Sequence, residues 1–127
     1  MKWKGVLIAE SLRSDRGIWD RVEVTGRAKG RLESEGARGE FTFCNVEVSD
    51  EAVDSLLEDV AERLESPGWY FHVERGRVIK VVYPGRVMEV REDAPESIRA
   101  AREYGVSVGI HPDQLCFERL MGNPFDQ

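Results

Sequence analysis

Little in this sequence marks chemistry. It holds two cysteines and two histidines, with no CxxC and no HxxxH, so nothing local prepares a tetrahedral metal site from Cys44, His72, His111 and Cys116. The same scarcity leaves no marked Cys–His nucleophilic pair. Cys44 and Cys116 lie far apart in the chain, and two free thiols are expected. Neither GxxxxGK(S/T) nor GxGxxG occurs, which removes the common phosphate-cradling loops, and no cofactor is expected. No apolar run approaches the roughly 18 residues needed to cross a bilayer. An excess of basic charge is also missing. The net charge is −6 and the pI ≈ 5.0, which weighs against a nucleic-acid partner. The stretch MKWKGVLIAESL has too short an apolar run, and no small-residue cleavage site, for a signal peptide. It is expected to be a strand, and the protein cytoplasmic.

What is present reads as one α+β domain of 127 residues. Residues 1–38 hold N-terminal strands, expected at Trp3 to Leu12 and Ile18 to Thr25, then a Gly/Arg loop from Gly26 to Gly39. Residues 39–110 form the core and 111–127 a tail expected to wrap the surface. Glu40 to Val48 is a strand with Thr42, Cys44, Val46 and Val48 on one face. Ser49 is an N-cap for a helix from about Asp50 to Glu65, in which Val53, Leu56, Leu57, Val60, Ala61 and Leu64 recur at helical spacing. Asp93 is read as the next N-cap, with Pro95 and Glu96 behind it and Gly105 as the C′ residue, followed by a last strand from Val106 to Ile110. From residue 40 the order is β-α-β-β-β-α-β. Removing one strand leaves βαββαβ, so the expected fold is a ferredoxin-like core with extra strands. Its sheet is mostly antiparallel, with both helices on one face.

The segment WYFHVERGRVIKVVYPGRVMEVR, Trp69 to Arg91, reads as a three-stranded meander turning at Arg75-Gly76 and at Pro84-Gly85, the latter as type II. That register puts Tyr70, His72, Ile79, Val81, Tyr83, Met88 and Val90 on one face. Trp69, Phe71, Val73, Val78, Lys80, Val82, Val87, Glu89 and Arg91 fall on the other. Lys80 and Glu89 are opposite each other as an exposed ion pair, so the second face is the wetter one. It is also rich in large apolar groups: Trp69, Phe71, Val82 and Val87, joined by Phe41 and Phe43 if their strand is adjacent. Such a face is expected to meet something, whether the N-terminal strands, a second copy or a ligand.

His72 is the best titratable candidate, placed between Tyr70 and Glu74, as general acid or base or as a satisfied core histidine. Arg27, Lys29, Arg31 and Arg38 give the Gly26–Gly39 loop the parts for binding a small anion; a solvated hairpin end is the alternative. Glu10-Ser11 places a carboxylate and a hydroxyl at the end of the first strand. His111 lies in a loop before Pro112.

Glu10-Ser11-Leu12, Trp69-Tyr70, Tyr83, Val87, Tyr104-Gly105, Gly109-Ile110, Gln114 and Phe117 together resemble a family of short prokaryotic proteins with no assigned function. The resemblance implies a compact single domain and carries over no catalytic residue, cofactor or substrate. Two functional expectations stand. One is a binding or regulatory module that forms a homodimer through the aromatic face. The other is a small enzyme acting on an anionic metabolite through His72 and the arginine-bearing loop.

Overall fold

The computed structural model describes residues 2–30, 41–65, 69–121 and 123. Six strands form one sheet: β1 (Trp3–Ile8), β2 (Glu23–Gly30), β3 (Phe41–Val48), β4 (Phe71–Arg75), β5 (Val78–Tyr83) and β6 (Arg86–Arg91). Their order is β2-β3-β1-β4-β5-β6, and every neighbouring pair is antiparallel. The sheet is therefore not the expected ferredoxin-like one, in which split βαβ units bring parallel strands together. The first strand extends no edge. β1 sits in the middle, and its buried Trp3, Val6, Leu7 and Ile8 suit a strand covered on both sides.

The helices α1 (Asp50–Arg63) and α2 (Pro95–Ser107) lie on opposite faces, not on one. α1 begins at the expected cap, where Ser49 Oγ accepts from Ala52 N at 3.3 Å. All six residues of its apolar stripe are buried against Trp3, Leu7, Cys44, Val46, Phe71 and Val82. α2 covers the other face, burying Ala101 with Ile79, Val81, Tyr83 and Val90. Its cap is Ala94 rather than Asp93, with Pro95 at the first helical position.

α2 also runs past the expected stop. Gly109, at φ +92°, takes the C′ position; its N–H donates to Val106 O, and Ile110 N to Gly105 O. That paired Schellman pattern ends the helix where a final strand was expected over Val106 to Ile110. Gly105 serves packing instead. A Cβ there would lie 2.9 Å from Leu115 Cδ1 and 3.0 Å from Tyr83 Oη. The following segment is no surface wrap. Leu115 and then Phe117, Leu120 and Met121 around the short α3 (Phe117–Leu120) are buried in the second core.

In the meander the second turn is as expected, with Gly85 at φ +78°. The first turn falls on Gly76-Arg77, at φ +58° and +64°, rather than on Arg75-Gly76. Both angles positive is the hairpin-matched type I′ geometry. The slip is two residues, which keeps each side chain on its face. Lys80 and Glu89 do stand opposite each other, but the ion pair goes elsewhere: Lys80 Nζ lies 3.0 Å from Asp54 Oδ1 on α1.

Under α2, Tyr83 Oη donates to Ala101 O at 2.6 Å in a buried site. Burial, with Tyr104 beside it, holds the Tyr83 phenol well above its ordinary pKa, so it stays a donor at all moderate pH. Tyr83→Phe keeps the ring packing and loses that bond. Urea denaturation is expected to show a loss of about 1 kcal/mol. An unchanged midpoint would mean that the bond contributes nothing.

Candidate functional site

β1 ends at Ile8, opposite Phe43, and the chain tightens into a 3-10 turn over Ala9–Ser11. Ser11 Oγ closes the turn by donating to Ile8 O at 2.6 Å. Glu10 is thereby turned back onto β3. Its Oε1 accepts from Thr42 N at 2.7 Å and its Oε2 from Thr42 Oγ1 at 2.8 Å. Thr42 stands opposite Lys29 of β2, and Cys44 opposite Arg27. Arg27, Lys29, Thr42 and Cys44 therefore share one face at one end of the sheet, with Glu10 at its rim.

The electrostatics follow from that arrangement. Partial desolvation would raise the Glu10 carboxyl. The Thr42 N–H, the Thr42 hydroxyl and the Lys29 ammonium outweigh it and hold the group below its usual range. Burial pushes the Cys44 thiol up against the opposing pull of Arg27, so Cys44 is a packed side chain rather than a thiolate. A carboxyl with a depressed folded pKa contributes stability above its unfolded pKa, near 4.3, and loses that contribution as pH falls through the folded value. Glu10→Gln is expected to flatten the acid limb of a melting-temperature profile between about pH 3 and pH 6. Parallel profiles would show that the Thr42 bonds do not discriminate the charged form.

The sequence candidates separate in space. Arg27 and Lys29 lie at this end, whereas Arg31 and Arg38 fall outside the described residues. The first five residues of the expected Gly26–Gly39 loop are strand, because β2 continues through Gly30 against β3. His72 is elsewhere. It pairs with Val6 and Val81 on the face opposite to Cys44 and is 1% exposed. Two strands, β1 and β3, separate it from the basic residues of β2. His111 is exposed at the start of the Pro112–Gln114 turn. Among the described residues no three of His, Cys, Asp and Glu could hold a metal ion together, and no helix is long and apolar enough to cross a membrane.

The aromatic face, expected to meet the N-terminal strands, a second copy or a ligand, is covered from within the chain, by α1. α1 lies over Phe71 and Val82; Trp69 and Phe41 are buried as well and meet edge-on at 4.8 Å, although Phe41, opposite Gly30, alternates onto the other side of β3 from Cys44. Of the large apolar groups read onto this face Val87, at 41%, is exposed, and Phe43, opposite Ile8 and Ala28, is half-buried on the other face of the sheet. Trp3 is pinned on the same side, where its indole N–H donates to Asp50 Oδ1 at 3.1 Å and the Arg75 guanidinium lies 4.4 Å over its ring. A shallow cleft of about 340 Å³ opens between the end of α1 and Pro84-Gly85. Arg13 on its wall already donates to Glu62 O.

Thr42 is the site residue that sequence reading passed over. The alternation of β3 already put it on the Cys44 face; what was missing was the return of Glu10 at the end of β1. No protein-family model, no curated protein and no solved structure matches this chain.

Proposed function

We propose that the protein is a small cytoplasmic binding module that holds an anionic ligand at the Arg27–Lys29 end of the sheet. The supporting observation is the pair itself. In a chain of net charge −6, two exposed bases project from one face of an edge strand, beside a threonine and a carboxylate that are locked to each other. Alternate strand positions place the two bases roughly 6–7 Å apart, close enough for both to reach one anionic group. Glu10 is occupied by Thr42 and attracts Lys29, so a ligand is met from the outer side of β2. The reading rests on this basic edge. It uses neither the aromatic face, which α1 covers, nor His72, which is buried on the other side.

Titration of the 15N-labelled protein with inorganic phosphate at low ionic strength tests it. Amide shifts are expected at Gly26 to Gly30 and Thr42, saturating in the millimolar range, and a R27E/K29E variant is expected to lose them. Shifts that are equal in the variant, or spread over the surface, would overturn the site.

A further inference from the structure

We infer that the anionic partner is an extended acidic peptide that adds to the outer edge of β2 as a further strand. This rests on the proposed anion site and names the class of ligand it takes. β2 is the terminal strand of the sheet, and among the described residues no backbone bond is made from its outer side. An edge of this kind offers a row of unpaired N–H and C=O groups to an incoming chain. The opposite edge is closed in part. Arg91 N of β6 donates to Ser97 Oγ at 2.9 Å, and Arg91 bridges to Ala94 as the chain turns into α2.

The side chains of β2 fit one kind of strand. A bulge between Val24 and Gly26 breaks the pairing with β3, and from Gly26 to Gly30 the register is unbroken. An added strand would therefore run along those five residues and stop at the bulge, where the edge twists away. Arg27 and Lys29 occupy one face of the run. Gly26, Ala28 and Gly30 occupy the other, with Phe43 half-buried opposite Ala28. An extended peptide presents its own side chains to the two faces with period two. Carboxylates at alternate positions would lie beside Arg27 and Lys29. The intervening apolar side chains would pass over the small residues toward the Phe43 ring. The pattern selected is acidic and apolar in alternation.

The probe is an acetylated, amidated hexapeptide that alternates glutamate and valine, titrated into the full 15N-labelled chain beside inorganic phosphate. Three controls accompany it: the same peptide N-methylated at alternate backbone nitrogens, a lysine–valine counterpart, and the R27E/K29E variant. The acidic peptide is expected to shift the amides of Gly26 to Gly30. N-methylation is expected to weaken binding at least tenfold, as are the variant and the basic peptide. If the N-methylated peptide binds as well as its parent, strand addition is overturned while the anion site stands. If phosphate shifts β2 and the peptide does not, the peptide is the wrong ligand class. If neither shifts β2, both readings fall. Shifts confined to β6 would overturn the choice of edge.

Discussion

Gly5→Ala is expected to lower the melting temperature by on the order of 10 °C or more, through a loss of about 3 kcal/mol or more. A Cβ at position 5 would stand 1.9 Å from the carbonyl oxygen of His72, with His72 C at 3.0 Å and Val73 Cα at 3.1 Å. These are backbone atoms of a neighbouring strand, so no rotamer change relieves the overlap. Nor can β1 retreat, since Gly5 is paired with Val46 on one side and Val73 on the other. The added methyl must push β1 and β4 apart or twist both, which breaks ladder bonds in the middle of the sheet. Gly105→Ala meets only the ends of Leu115 and Tyr83, which can shift, so its cost is expected to be smaller. Thermal denaturation followed by circular dichroism compares the two. A Gly5→Ala protein melting within about 2 °C of the wild type would show that the β1–β4 spacing yields.

Phe71→Ala is expected to cost about 3–5 kcal/mol, with a melting temperature independent of protein concentration in wild type and variant alike. Phe71 is 1% exposed, packed between the sheet and α1 with Val73, Val82 and Leu57 in the same core. Truncation leaves a cavity that a helix anchored along its whole stripe cannot collapse to fill. Concentration separates this from an intermolecular face. If the face were completed by a second copy, melting would rise with concentration and the substitution would abolish that dependence. Val87→Ala, on the same face but exposed, is expected to stay within about 0.5 kcal/mol. A small loss at Phe71 together with concentration-dependent melting would sink the intrachain account.

The comparison of Phe71 with Val87 also locates where the sequence stops being informative. The alternation from Trp69 to Arg91 was enough to assign each meander residue to its face, and a two-residue slip at Gly76-Arg77 did not disturb it. The stripe of α1 was equally plain, because six apolar residues at helical spacing leave one direction to bury. Which face that stripe covers is a non-local fact. Lys80 and Glu89 made one face look wet, yet Lys80 reaches Asp54 on the helix that covers it. Periodicity says that a face exists and not what lies against it.

The site was legible in the same partial way. Arg27 and Lys29 stood out by charge, and Glu10 by its place at a strand end. Their meeting depends on β2 continuing through Gly26, Ala28 and Gly30, residues whose local preference is loop. Pairing with β3 overrides that preference. Gly105 was misread for a related reason: a helix-ending glycine and a close-packing glycine look alike until Leu115 and Tyr83 are in place. His72 was placed on its true face, with a satisfied core histidine as one of its two readings, and the structure buries it there.

The position of β1 bears on how the protein is made. It leaves the ribosome before β3 and β4, between which it finally lies. Until both have followed, two rows of backbone donors and acceptors on an apolar strand lack their partners in the sheet, and the two halves of the sheet have no seam to join along. Completion of the fold therefore waits on the meander and depends on contacts distant in sequence, the condition under which folding is slow and nascent chains associate. Slowed synthesis between β1 and β4 would lengthen the interval in which Trp3, Leu7 and Ile8 are open to capture by another chain.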